Sequence, residues 1–100
     1  MQDLQEIIEE IRNQKEYYGN EKLRLKEEIS KLPKGSIQKR IIKNHPYYYL
    51  LYRERGKIKQ DYLGNEVEPK LEKQIYKRQK LELDLRPINE KLKILRKLKI

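Results

Sequence analysis

The sequence contains no cysteine, phenylalanine or tryptophan, and it has one histidine. Without cysteine the chain can form no disulfide, no thiolate metal site and no thiol nucleophile. The histidine, His45, precedes Pro46 in a predicted turn, and no serine–histidine–acid order, glycine-rich phosphate loop or metal-ligand spacing accompanies it. We therefore expect a protein that is not an enzyme and has no catalytic residues, no metal site and no cofactor.

Long hydrophobic runs are also missing. No segment approaches the roughly 20 apolar residues that a membrane-spanning helix needs, and the acidic N-terminal segment lacks the basic-then-apolar order of a signal peptide. We therefore expect a cytoplasmic protein with no membrane partner. Charged residues make up 41% of the 100 residues and hydrophobic residues 36%, which leaves little to bury in a globular core. Long helices that each bury one apolar stripe suit this composition best.

The positive charge is concentrated in the middle of the chain. The net charge of +9 is the balance of −2 over residues 1–32, +6 over 33–65 and +5 over 66–100. The middle segment has only two acidic residues, Glu54 and Asp61, and it also holds five of the eight tyrosines. Such one-sided charge favours an acidic partner.

Heptad spacing predicts a helix over residues 1–32. The register continues across Gly19, which favours one continuous helix over a break there. Pro33 disfavours helical geometry in the residue before it and so predicts the end of the helix. Side chains recur at alternating intervals of four and three, as in the seam of a coiled coil: Leu4, Ile8, Ile11, Lys15, Tyr18, Lys22, Leu25, Ile29 and Leu32.

A second heptad seam predicts a helix over residues 69–99, beginning at Pro69 and kinked or divided near Arg86 by Pro87. Its matched length predicts an antiparallel helical hairpin. Polar seam residues could lay their stems along the apolar stripe or mark a contact with another chain. Two facing stripes satisfy a monomer, whereas Ile7, Ile94 and Ile100 could extend into a dimer seam, so a monomer and a homodimer both remain open. The seam positions are Leu71, Gln74, Arg78, Leu81, Leu85, Ile88, Leu92 and Leu95.

Between the helices, residues 35–64 predict three short strands, at 37–43, 47–53 and 57–63. A turn cluster at 44–46 and a three-residue connection at 54–56 separate them. The predicted fold class is α+β: an antiparallel helical hairpin (coiled coil) capped by a small three-stranded antiparallel sheet, in a single domain over residues 1–100.

Strand alternation with a three-residue connection predicts the two faces of this sheet. A slip of one residue would exchange the faces, and the register of the first strand stays open. One predicted face carries Tyr48, Leu50, Tyr52, Ile58 and Tyr62, and the other carries Tyr47, Tyr49, Leu51, Arg53, Lys57 and Lys59.

The mixture of basic and tyrosine residues suits a polyanion. Lysine and arginine neutralise phosphates, arginine can also bind guanine edges in a major groove, and tyrosine rings stack on exposed bases. Tyrosine is also a good strand former and lysine protects sheet edges, so the expectation rests on the cluster as a whole. The candidate nucleic-acid-binding residues are Lys39, Arg40, Lys43, Tyr47, Tyr49, Arg53, Arg55, Lys57 and Lys59.

Residues 34–64 resemble the arm-type DNA-binding domain of tyrosine integrases. The residues that carry the resemblance are Lys34-Gly35-Ser36-Ile37, Lys39-Arg40, Tyr48, Tyr52, Gly56-Lys57-Ile58-Lys59 and Tyr62-Leu63-Gly64. In that family a three-stranded sheet lies in the major groove. The same stretch, through Tyr47-Tyr48-Tyr49-Leu50, is similar to short uncharacterised prokaryotic and viral basic proteins with a tyrosine-rich three-stranded motif. These resemblances imply DNA binding and a source in a virus or mobile element.

Two functions therefore stand as expectations. The first is a non-catalytic protein that binds DNA or RNA through the basic, tyrosine-rich sheet. The alternative is a small protein-interaction module, an inhibitor or adaptor that docks on a protein or nucleoprotein partner. Its contacts would come from the polar seam residues Lys15, Lys22 and Arg78 or from the helix surface.

Overall fold

The computed structural model describes residues 3–100 and has an α+β fold of two helices and three strands. The strands form one antiparallel sheet in the order β1-β2-β3. This confirms the predicted fold class; residues 1–2 of the first predicted helix lie outside the described residues. The elements are α1 Leu4–Ser30, β1 Ser36–Ile42, β2 His45–Glu54, β3 Lys57–Gly64 and α2 Pro69–Lys97.

The chain divides into two compact units. The helical unit contains the described residues up to Lys31 together with Lys80–Ile100, and the sheet unit contains Leu32–Gln79. Neither helix has a stretch long and apolar enough to cross a membrane within residues 3–100.

Helix α1 begins at a side-chain cap and runs without interruption. The Asp3 carboxylate accepts a hydrogen bond from the backbone N–H of Glu6 at 2.9 Å, which satisfies one of the free donors of the first turn. The helix passes Gly19 and ends at Ser30, so the continuous helix predicted from the heptads is confirmed. Helix α2 likewise continues through Pro87. The division considered near Arg86 is therefore wrong, although proline still removes one helical hydrogen bond there.

Burial along the helices follows the predicted seams. Of the nine seam positions of α1 and its following turn, Leu4 is exposed and the other eight are buried or half-buried. All eight seam positions of α2 are buried or half-buried. Ile75, which the strict heptad spacing omits, is also buried, with 3% of its surface exposed. The buried seam residues are Leu25, Ile29, Leu92 and Leu95.

Polar seam residues find partners in the chain itself. In the helical unit, Lys15 Nζ donates to the main-chain oxygens of Leu98 at 2.6 Å and Ile100 at 3.2 Å. Lys91 Nζ lies 4.8 Å from the centre of the Tyr18 ring and donates to its hydroxyl at 3.3 Å. Residue numbers rise along one segment as they fall along the other, so the two helical segments of this unit run antiparallel. Lysine near the last carbonyls of a helix also complements the helix dipole.

A glycine connects the first helix to the sheet where no other residue fits. Gly35 has φ of +115°, and a Cβ there would overlap the carbonyl oxygen of Leu51 and crowd Leu50 and Tyr52. The Gly35 carbonyl accepts a hydrogen bond from Gln79 Nε2 at 3.3 Å. The approach of β1 to β2 therefore depends on the missing side chain.

We predict that Gly35→Ala lowers the free energy of unfolding by about 2 kcal/mol or more, because left-handed strain of about 1–2 kcal/mol adds to overpacking. The matched control is Gly19→Ala in α1, where a Cβ meets nothing within 4 Å and stability should rise by up to about 1 kcal/mol. Urea denaturation followed by circular dichroism measures both. A Gly35→Ala protein as stable as the unmodified chain would contradict the packing described.

Candidate nucleic-acid interface

Both strand connections are two-residue turns. Lys43 and Asn44 have φ of 52° and 66°, and Arg55 and Gly56 have φ of 51° and 77°. Positive φ at both central positions is the signature of a type I′ turn, whose twist matches that of the flanking strands. The predicted turn at 44–46 is therefore wrong, because β2 begins at His45, and so is the three-residue connection at 54–56.

The shorter second turn changes the register of β3. Glu54 pairs with Lys57, Arg53 with Ile58, Tyr52 with Lys59 and Tyr49 with Tyr62. Residues directly opposite each other in antiparallel strands lie on the same face. The predicted placing of β3 residues is therefore wrong: Ile58 and Tyr62 join the face of Tyr49, while Lys57 and Lys59 lie on the opposite one. A shift of one residue produces this exchange.

The first strand pairs without irregularity and completes the faces. Arg40 lies opposite Tyr47, and Lys39 opposite Tyr48. We name the faces by their basic residues. The arginine face carries Gln38, Arg40, Ile42, Tyr47, Tyr49, Leu51, Arg53, Ile58, Gln60 and Tyr62, and the lysine face carries Ile37, Lys39, Tyr48, Leu50, Tyr52, Glu54, Lys57, Lys59 and Asp61.

Charge is distributed differently on the two faces. All three lysines of the strands share a face with both strand carboxylates, Glu54 and Asp61. The arginine face carries Arg40 and Arg53 and no carboxylate. An anion on the arginine face therefore meets no like charge from the strands, which is the more favourable arrangement for binding it.

An interlocked set of side chains occupies the arginine face. The Arg40 guanidinium carbon lies 4.6 Å from the centre of the Tyr49 ring, and its Nη2 donates to Gln60 Oε1 at 2.7 Å and to Gln38 Oε1 at 3.3 Å. The Tyr62 ring centre lies 5.4 Å from that of Tyr49. Ring stacking and hydrogen bonds thus hold Arg40 in place across all three strands.

Much of this face is open to solvent. Tyr62 is 57% exposed, Ile58 69% and Ile42 50%, and Arg53 is also exposed. Exposed apolar groups beside arginines and aromatic rings are typical of a contact surface.

The lysine face is partly covered by other parts of the sheet unit. Ile37, Lys39 and Tyr48 line a cleft together with Pro69 and Glu72 at the start of α2. Further along the face, the Tyr52 hydroxyl donates to Asp61 at 3.4 Å. Burial raises the pKa of Tyr52, and the hydrogen bond to Asp61 raises it further.

The structure therefore divides the predicted site residues into three groups. Arg40, Tyr47, Tyr49 and Arg53 come together on the arginine face, whereas the lysines at 39, 57 and 59 lie on the lysine face. Lys43 and Arg55 occupy the two turns, at opposite ends of the sheet. Sequence reasoning missed Tyr62, Gln38 and Gln60. The signal that could have found Tyr62 was Arg55-Gly56, interpreted as a complete two-residue turn.

We predict that Tyr52 titrates above the ordinary tyrosine pKa of about 10, and that Asp61→Asn lowers the pKa of Tyr52. The part of the tyrosinate absorbance that is missing from Tyr52→Phe reports this residue. A raised folded-state pKa stabilises the fold fully below the unfolded pKa, and this contribution is lost as the pH rises through the folded value. Ultraviolet tyrosinate absorbance of the two variants and the unmodified chain measures this. A Tyr52 midpoint at or below the ordinary value would contradict the placement beside Asp61.

Comparison with known proteins adds a family but no activity. No curated protein and no solved structure matches the chain. Residues 1–73 match a family described as a domain of unknown function, DUF6788. The matched range extends through α1 and the whole sheet into the start of α2. The chain belongs to the DUF6788 family.

Proposed function

We propose that this chain is a non-catalytic protein that binds DNA or RNA through the arginine face of its sheet. The observation that carries the proposal is the separation of charge between the faces. Two arginines and three tyrosines share a face that has no carboxylate. Helices α1 and α2 then serve as scaffold, with coiled-coil packing along their seams as part of the proposal.

Phosphate binding supplies the affinity in this proposal. Arg40 and Arg53 release counterions when they neutralise phosphates, and Lys43 and Arg55 in the turns extend the positive surface at both ends of the sheet. Because Arg40 is already held by Tyr49 and Gln60, it loses little conformational freedom when it binds.

The strand lysines have a lesser role. Lys57 and Lys59 lie beside Glu54 and in the neighbourhood of Asp61, so carboxylates partly cancel their field. They contribute to the overall charge of +9, which attracts any polyanion at long range, rather than to direct contacts.

The protein-interaction alternative has less support. It places the binding either on the polar seam residues Lys15, Lys22 and Arg78 or on the helix surface, and two of these seam residues have partners within the chain. Lys15 and Arg78 both donate hydrogen bonds to main-chain oxygens of this chain, Arg78 Nη1 to Leu32 at 2.6 Å. Those side chains thus have a structural role without a second protein. The resemblance to integrase arm domains, and a source in a virus or mobile element, remain predictions that accompany the nucleic-acid proposal.

We predict that Arg40→Gln with Arg53→Gln weakens nucleic-acid binding at least tenfold, while Lys57→Gln with Lys59→Gln weakens it less. Both double variants remove two positive charges, so background attraction changes equally. The arginine pair should also reduce the slope of log affinity against log salt by about 1.4 for a single strand and about 1.8 for a duplex, as expected for two lost phosphate contacts. Fluorescence anisotropy over a salt series measures both quantities.

Circular dichroism checks that each double variant keeps its fold, and Arg53→Gln alone tests the face without disturbing the contact of Arg40 with Tyr49. Equal losses from the two double variants would mean that only net charge matters and would remove the arginine face as the site. Absence of binding by the unmodified chain to duplex DNA, single-stranded DNA and RNA would refute the proposed function.

A further inference from the structure

We propose that the arginine face accepts single-stranded nucleic acid, with unpaired bases stacked on Tyr62 and its neighbouring rings. This inference rests on the proposed function and specifies the form of nucleic acid that the face fits. It follows from the side chains that the observed register of β3 leaves exposed on this face.

The Tyr62 ring is accessible to a ligand. Among the five tyrosines of the strands, Tyr62 alone is exposed, and the other four are half-buried. Its ring centre lies 5.4 Å from that of Tyr49 and 6.2 Å from that of Tyr47, at interplanar angles of 49° and 40°. The neighbouring rings therefore hold Tyr62 in position while more than half of its surface remains open. A fixed, open aromatic ring is a stacking platform for a base.

Strand β3 contributes only uncharged side chains to this face. Its residues there are Ile58, Gln60 and Tyr62, spaced about 6.8 Å apart as alternate residues of a strand. None is charged. The cations of this face, Arg40 and Arg53, come from β1 and β2, so the β3 row itself offers a phosphate no charge and suits an uncharged base better. Unpaired bases would cover the apolar groups and leave the phosphates free to reach Arg40 and Arg53.

Two side-chain amides on this face are held by Arg40. Gln38 and Gln60 both turn their Oε1 atoms toward Arg40 Nη2, which directs each Nε2 donor away from that arginine. Amide N–H groups suit the oxygen and nitrogen acceptors on base edges. In a duplex those edges are reached only through a groove, whereas an unpaired base can lie against a flat sheet.

The test compares three labelled probes by fluorescence anisotropy: oligothymidylate, oligouridylate and a DNA duplex. Each is about 20 nucleotides or base pairs long, which exceeds one small binding site. We expect the unmodified chain to bind at least one single strand about tenfold or more tightly than the duplex. Tyr62→Leu keeps an apolar strand residue but removes the ring, and it should weaken single-strand binding about 5- to 140-fold, the range of one base-stacking contact.

Two further variants separate stacking from general effects. Tyr62→Phe keeps the ring and should bind within about twofold of the unmodified chain, because stacking does not need the hydroxyl. Tyr17→Leu in α1 is the matched control: Tyr17 is 59% exposed, close to the value for Tyr62, and its loss should leave affinity unchanged. Circular dichroism confirms that all three variants are folded.

The outcomes distinguish this inference from the proposed function. Equal affinity for single strands and duplex, with Tyr62→Leu unchanged, would overturn the single-strand inference and leave nucleic-acid binding intact. Tighter binding to the duplex would do the same. No binding to any of the three probes would overturn both.

Discussion

The left-handed backbone at Arg55 and Gly56 decides which side chains share a face of the sheet. With two residues in the turn, Glu54 pairs with Lys57, and Tyr62 comes to lie beside Tyr49. One more residue in the connection would put Asp61 opposite Tyr49 and bring a carboxylate onto the face that now has none. The charge separation on which the proposed function depends is thus a consequence of turn geometry, because strand alternation converts a single-residue shift into a change of face.

The sheet unit exposes apolar surface although its core is small. Ile75 is the one residue of this unit, within the described part of the chain, that is buried among the hydrophobic core. Tyr62 and Ile58 nevertheless remain more than half exposed on the arginine face. A domain with so little to bury gains from covering such residues, so their exposure beside arginines favours a binding role. Backbone pairing, the close approach at Gly35 and the hydrogen bond from Gln79 to the Gly35 carbonyl stabilise the sheet instead of a large core.

The helices were predictable from the sequence and the register of the sheet was not. Heptad spacing follows directly from burial of one helix stripe, so it identified Leu25, Leu92 and every other buried seam residue. It failed at Leu4, which is exposed, and it omitted Ile75, which lies next to a seam position. The turns were harder, because type I′ geometry normally announces itself through Asn-Gly or Asp-Gly. Here Lys43 and Arg55 adopt positive φ, at a steric cost of about 1–2 kcal/mol each that the strand pairing must offset. Asn44 and Gly56 were the only turn residues whose types favour this geometry.

Arginine and lysine have different uses in this sheet although they carry the same charge. The planar guanidinium of Arg40 lies over Tyr49 while it bonds to Gln60, a geometry that an ammonium group cannot reproduce. The lysines remain solvated point charges on the face with the carboxylates. The total charge of +9 attracts any polyanion when the salt concentration is low, and salt screens that attraction. Stacking on Tyr62 involves no net charge and survives screening. Discrimination between forms of nucleic acid should therefore come from the rings and from Arg40, which Tyr49 positions, with the lysines contributing mainly the long-range attraction.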